Sequence, residues 1–222
     1  MSFYVCGDTH GDIDIHKLTT KAFPDGKTLT KNDFVLICGD FGAVWDGGVH
    51  DDFNQMFYNQ KQWTTLFVDG NHENHKILDS LPVEKWNGGK IHRISDSIIH
   101  LMRGQVYEID GKKIFTMGGA DSHDKDSRKP NISWWARELP SREEICEAIK
   151  NVNKHHCKFD YIFTHCASSR VQKHYGQTNE LTDFFVGLEN TDFQHWYFGH
   201  YHEDRDFGER FTCLYQNVVK LW

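Results

Sequence analysis

No stretch of this 222-residue sequence approaches the roughly 18 consecutive apolar residues that a membrane-spanning helix requires. The mean hydropathy of −0.64 agrees with that absence. The first apolar run begins at Phe3, which leaves no room ahead of it for an export signal. None of the six cysteines stands in a Cys-x-x-Cys pair, so neither a zinc finger nor a thioredoxin-type site is expected. Cys6 and Cys38 fall inside apolar runs and read as small core residues. Without an export signal, reduced thiols and a cytoplasmic location are expected. Basic residues are outnumbered, 25 Lys and Arg against 32 Asp and Glu, for a formal net charge of −7. That balance argues against broad binding to duplex DNA, which rests on basic surface. It leaves anionic substrates open, because bound metal ions would reverse the sign locally. The sequence shows no internal repeat, low-complexity segment or linker, and its length suits one α/β domain over residues 1–222.

What the sequence does contain is a recurring pattern. Phe3-Tyr4-Val5-Cys6 runs into Gly7-Asp8-Thr9-His10-Gly11, an apolar strand followed by a turn bracketed by glycines. On an extended segment Asp8 and His10 point the same way, so a carboxylate oxygen and a ring nitrogen can converge on one metal ion. Alone this turn is unremarkable, but it recurs. Phe34 to Cys38 leads into Gly39-Asp40. Leu66 to Val68 leads into Asp69-Gly70-Asn71-His72-Glu73. Tyr161 to Phe163 leads into Thr164-His165, and Trp196 to Phe198 leads into Gly199-His200-Tyr201-His202. In open α/β sheets, sites form beyond the carboxyl ends of the strands. Five apolar runs ending in oxygen or imidazole donors therefore predict a metal site across one sheet edge.

Between the motifs, the pattern predicts a helix over Asp14 to Phe23, closed by Pro24-Asp25-Gly26, and another from Asp51 through Trp63. Strands are expected at 33–38 and 64–68, with short ones near 91–94 and 97–101. Alternating strands and helices in this first part imply parallel pairing. Gln105 to Ile109 and Lys112 to Met117 flank Asp110-Gly111, a favoured hairpin turn. Ser141 and Glu144 form a capping box that opens a helix to about Lys154. A strand over 159–164, a helix near 181–189, a strand over 194–198 and two or three antiparallel strands in the tail, about 205–221, complete the expectation. His155 and His156 fall at a helix end. His16, His50, His75, His92, His100, His123, His174 and His195 lack a partnered motif and read as surface or packing residues.

With these motifs together, the chain resembles the calcineurin-like metallophosphoesterases. Gly7-Asp8-Thr9-His10-Gly11, Gly39-Asp40, Gly70-Asn71-His72-Glu73, Thr164-His165 and Gly199-His200-Tyr201-His202 occur in that family's order over residues 7 to 202. The resemblance implies a four-layer αββα sandwich, two mixed sheets flanked by helices, with two divalent metal ions at the sheet edge. By that likeness Asp8, His10 and His202 would hold one ion, Asn71, His165 and His200 the other, and Asp40 would bridge them. The mixture of nitrogen and oxygen donors suits Mn, Fe or Zn. A shared hydroxide would attack phosphorus in line, and His72 would give a proton to the leaving oxygen.

The chain departs from the protein serine/threonine phosphatases after Gly39-Asp40. Ala43 and Val44 stand where that group carries a carboxylate and a phosphate-binding arginine, so a phosphoprotein substrate is not expected. Small phosphorylated compounds or nucleotides are preferred, as monoesters or diesters. Asp46 is a candidate to orient His72. Arg103, Ser122, Lys125 and Arg128, with Lys129 and the Gly118-Gly119 pair, could receive phosphate in place of the missing arginine; the alternative is a solvated loop. Trp134 and Trp135 could stack a nucleobase, although anchoring their loop to the core is the preferred reading. A binding or scaffold module on this fold is the competing class, and the filled ligand positions with His72 argue against it. A metal-stabilised structural domain is a third reading, which ester hydrolysis separates from the enzymatic one.

Overall fold

The computed structural model describes residues 1–171, 173 and 178–222. His174 lies outside them. Among the described residues, no helix is long and apolar enough to cross a membrane. Strands β1 (Phe3–Cys6), β2 (Phe34–Cys38) and β3 (Thr64–Val68) pair in parallel. Strand β4 (Val83–Trp86), β5 (Gly89–Ser95) and β6 (Ile98–Leu101) extend this sheet, with β6 parallel to β3. The hairpin of β7 (Gln105–Ile109) and β8 (Lys112–Met117) begins a second sheet. It continues through β9 (Lys158–Thr164), parallel to β8, and β10 (Asp192–Phe198), parallel to β9. The tail forms β11 (Arg205–Asp206), β12 (Phe211–Cys213) and β13 (Val218–Lys220). The first sheet has the order β13-β1-β2-β3-β6-β5-β4 and the second β11-β12-β10-β9-β8-β7.

Alternation along the strands explains the layering. Phe3 and Val5 face one apolar cluster while Tyr4 and Cys6 face another, and Leu36 and Val35 divide in the same way. The first of these clusters also contains Tyr107, Ile114 and Phe163 from the second sheet, so it is the seam between the sheets. The outer face of the first sheet packs under Tyr58 of helix α1 (Val49–Asn59) and Leu78 of α2 (His75–Ser80). The outer face of the second packs under Ala148 and Val152 of α3 (Arg142–Lys154) and under Leu181 and Phe185 of α4 (Glu180–Leu188). Helix, sheet, sheet and helix give a four-layer α/β sandwich, as the resemblance implied.

Several local expectations fail for physical reasons. No α-helix spans 14–23; a 3₁₀ turn, Ile15–Leu18, stands there, and a second, Pro24–Lys27, follows where the turn is expected. Asp14 does not cap, because its carboxylate accepts from the His10 ring and the Tyr215 hydroxyl. Lys17 is buried, with its ammonium donating to the Asp8 and Tyr215 carbonyls. Helix α1 stops at Asn59, short of Trp63, and α2 and β4 carry no strong sequence signal. The tail is divided between the sheets: β12 runs parallel to β10, and β13 crosses to pair antiparallel with β1. The capping box at Ser141 is present, with the Glu144 carboxylate 2.7 Å from the Ser141 amide. The described cysteines are all free thiols, and Cys6 and Cys38 are buried.

Candidate metal centre

The carboxyl ends of β1, β2, β3, β9 and β10 meet at one edge. Ligand-type atoms of Asp8, His10, Asp40 and His202 lie within 4.8 Å of one another. The backbone is strained to bring them there. His10, Asp40, His200 and His202 all have positive φ, between 44° and 73°, and make up four of the nine non-glycine residues with positive φ among those described. Such conformations are retained where surrounding structure imposes them, and they cluster at functional sites. Two glycines are required by close approach. A Cβ on Gly39 would stand 2.1 Å from His165 Nδ1, and one on Gly70 would stand 2.1 Å from Asp40 Oδ1.

Hydrogen bonds fix the direction of each imidazole. His10 Nδ1 donates to Asp14 Oδ2 at 2.8 Å, which turns Nε2 toward Asp40 Oδ2 at 3.2 Å. His165 Nδ1 donates to the Cys38 carbonyl at 2.8 Å, which turns Nε2 toward Asn71 Oδ1 at 3.0 Å and Asp40 Oδ1 at 3.3 Å. His202 Nε2 lies 3.2 Å from Asp8 Oδ2, and its ring stacks on Tyr215. The backbone amide of His200 donates to both Asp8 oxygens, and its ring lies against His165, centroids 4.9 Å apart. Asn71 Nδ2 donates to Ser122 Oγ at 3.0 Å, so the amide oxygen is the atom presented to the centre.

This donor set matches divalent cations. Once the outer ring nitrogens donate to Asp14 and Cys38, the inner nitrogens of neutral His10 and His165 carry lone pairs aimed at carboxylate and amide oxygens. Acceptors then face acceptors across about 3 Å, which only a proton or a cation between them can relieve. The titration behaviour reflects this. Burial works to lower His165 and His10, but Asp40 outweighs it and raises them to about 10 and about 9. Burial works to raise Asp40, yet His165, His72 and His10 hold its carboxyl well below the usual range. His200, half-buried, is pushed down to about 3 by desolvation and by His165 and stays a neutral imidazole. Nitrogen and oxygen donors without sulfur suit Mn, Fe or Zn.

His72 borders the centre. Its backbone amide donates to Asp40 Oδ1 at 2.8 Å. Asp46 does not orient its ring, since that carboxylate accepts from the Gly48 amide at the start of α1. The ring instead lies against Arg128, whose Nη2 is 2.7 Å from His72 Nε2, and near-parallel to Trp45. Burial lowers the His72 pKa, and Arg128 lowers it further against the pull of Asp40.

The other phosphate candidates separate in the structure. Arg103 is buried and its Nε and Nη2 donate to Asp69 Oδ2, so its guanidinium is committed inside the protein and its candidacy is withdrawn. Ser122 is buried beneath Asn71 and acts on that side chain. Lys125 is exposed and paired with Asp121. Arg128, also paired with Asp124, is the one of the four that touches His72. Trp135 is buried and packs edge-on against Trp45, the anchoring role preferred for that pair.

Three residues support the site in roles the sequence reading did not assign them. Asp14 orients His10, and its position four residues on was the available signal. Glu73 accepts from the Phe41 amide at 2.5 Å and from the Gly70 amide at 2.7 Å, tying the Asp40 and Asn71 turns together. Tyr215 joins the two histidines, stacking on His202 while its hydroxyl donates to Asp14.

Comparison with known proteins adds the following. The family model for the calcineurin-like phosphoesterases matches residues 1–204. Lariat debranching enzyme A of Xenopus laevis is 31% identical over 140 residues, 56% of this chain and 24% of that protein. The chain thus spans about a quarter of that relative's length. The solved structure of a phosphopantetheinyl hydrolase from Mycobacterium tuberculosis is similar with a TM-score of 0.47 and 12% identity, over 96% of this chain and 89% of that one.

Proposed function

Since the chain belongs to the calcineurin-like phosphoesterase family, we propose that it hydrolyses phosphate esters with the help of two divalent metal ions. The observation that carries this reading is the convergence of unbalanced acceptors at the strand ends. Asp8, His10 and His202 would hold one ion, and Asn71, His165 and His200 the other. Asp40 suits the place between them, because Oδ2 faces His10 and Oδ1 faces His165. When bound, such a pair polarises phosphoryl oxygens and makes a bound water a stronger nucleophile at neutral pH.

The side chains do the remaining work. Arg128, which lies against His72, would receive the phosphoryl group where Val44 leaves no arginine. A phosphate ester set against His72 brings negative charge that favours the imidazolium over the imidazole that Arg128 and burial maintain. The substrate thereby readies the proton that His72 would pass to the leaving oxygen. A small phosphorylated compound or a nucleotide fits this arrangement better than a phosphoprotein.

Hydrolysis of p-nitrophenyl phosphate and bis-p-nitrophenyl phosphate, each with and without added Mn²⁺, tests the reading. Metal-dependent turnover of either ester is expected, and their ratio reports monoester against diester preference. Absence of turnover with both ions bound would favour a non-enzymatic role.

A further inference from the structure

A cavity of about 260 Å³ opens beside the metal centre, with His10 and His72 on its wall. Its other walls include Asp12, Ile13, Trp45 and His50. Trp45 is held through its backbone and at its ring. Its backbone amide donates to both oxygens of buried Asp51 at 2.8 Å, and its carbonyl accepts from Asn74 Nδ2 at 2.8 Å. Trp135 braces the ring edge-on, with centroids 5.2 Å apart and planes at 82°. The Trp45 plane then lies within 25° of the His72 ring. Ile13 lines the same cavity with 73% of its surface exposed, an apolar side chain that serves no core. Asp12 and His50 add a polar pair, 3.4 Å apart.

We propose that this cavity binds the leaving group of the ester, and that the group carries a planar heteroaromatic ring, as a nucleoside does, stacked on Trp45. The inference rests on the phosphoesterase reading and on His72 facing the leaving oxygen. Whatever that oxygen is attached to must enter the space that His72 borders, and the cavity is that space. A braced indole is a ready platform for a flat ring, because neither partner loses much freedom on stacking. The Asp12 carboxylate can accept from an exocyclic amino group of a base, a contact that an alkyl chain cannot return. The volume suits one ring system with its sugar edge rather than a large ligand.

The test compares two substrates that leave through the same primary 5′-hydroxyl and differ in the base, adenosine 5′-monophosphate and ribose 5-phosphate, on the Mn²⁺-loaded protein. Wild type is expected to prefer the nucleotide in kcat/KM by about tenfold or more, the scale of a single base stacking on an aromatic side chain. In Trp45→Leu the ratio falls toward one. Ile13→Arg alters an exposed position, so it keeps the fold while filling the cavity, and it lowers the ratio in the same way. Saturation-transfer NMR with adenosine alone reads the cavity without catalysis: binding is expected in wild type and lost in both variants. A wild-type ratio near one, or a preference that survives both substitutions, overturns the proposal. If neither ester turns over, and neither p-nitrophenyl phosphate nor bis-p-nitrophenyl phosphate does, the phosphoesterase reading has failed. Adenosine binding lost in the variants then still supports the cavity, and its absence in wild type removes that as well.

Discussion

Arg103 donates to Asp69 Oδ2 twice, from Nε at 2.8 Å and from Nη2 at 2.5 Å, with both residues buried. His100 Nε2 approaches the other Asp69 oxygen at 3.1 Å, and Asp69 stands two residues before Asn71. The pair therefore holds the end of β3 from behind, and Arg103 extends the hold to the carbonyls of Arg137 and Glu138. Arg103→Met should leave an uncompensated buried carboxylate and cost about 3–5 kcal/mol in folding free energy. Adding Asp69→Asn should recover part of that loss, since the orphaned charge is gone. Urea midpoints of the two single variants and the double variant check both statements. Equal losses that simply add would show that the two side chains do not act as a pair.

The same neighbourhood makes stability fall in mild acid. Burial pushes His75 down to about 3 and His92, helped by His100, down to about 4. Both rings are neutral in the folded protein at pH values where the unfolded chain, near 6.5, takes up protons. The unfolded state then binds more protons, so stability rises with pH across this window. The contribution is complete above about pH 6.5 and is lost as the pH falls toward 4. Urea midpoints at pH 7.0 and 4.5 should differ clearly in wild type and less in His75→Leu. A pH-independent midpoint over that range would mean that the rings are not kept neutral by burial.

His72 and Asp40 should separate chemistry from metal binding. His72→Ala leaves the Asp40 carboxylate and both sets of imidazoles in place, so two ions should still bind. Turnover should drop by about 10²–10⁴, the usual range for a lost general acid. The loss should be larger for an alkyl ester than for p-nitrophenyl phosphate, whose leaving group hardly needs a proton. Asp40→Ala should instead abolish binding of the ion pair, because the residue facing both His10 and His165 is gone. Metal content and kcat for two leaving groups decide the point. A uniform loss across leaving groups would remove His72 from the proton-donor role.

A metal site at this sheet edge could be expected before the fold was known because the donor-bearing turns follow apolar strands and parallel strands end on the same side. The choice of Asp8, His10, Asp40, Asn71, His165, His200 and His202 came from the family resemblance. Local grammar carries that far and no further. Arg103 looked available for phosphate because its partner, Asp69, lies 34 residues away and pairs with it only once β3 and the β6–β7 connection are packed together. The segment 14–23 has helix-compatible residues, but Asp14 and Lys17 are drawn to His10, Tyr215 and the strand-end carbonyls. Those contacts reach up to 201 residues along the chain, and no periodicity records them. Trp45 is a similar case: nothing in its own neighbourhood shows that Trp135 will brace it beside His72.

Ser122 and Lys125 share one polar loop, and the structure assigns them opposite sensitivities. Ser122 is 1% exposed, and its Oγ accepts from Asn71 Nδ2, which fixes the amide oxygen toward His165. Its own amide donates to Glu138 at 3.2 Å. Groups that orient a metal-binding side chain typically change affinity by about 10–100-fold when removed. Ser122→Ala frees Asn71 to rotate its amide and leaves Nδ2 without its acceptor, so the more weakly held of two Mn²⁺ ions should lose affinity on that scale. Lys125→Ala removes an exposed partner of Asp121, a pair worth about 1 kcal/mol or less, and metal binding should not change. Calorimetric titration of each apo-protein with Mn²⁺ separates the two. If Ser122→Ala binds both ions as wild type does, Asn71 is held by its own turn, and the loop at 118–128 bears only on the substrate side of the centre.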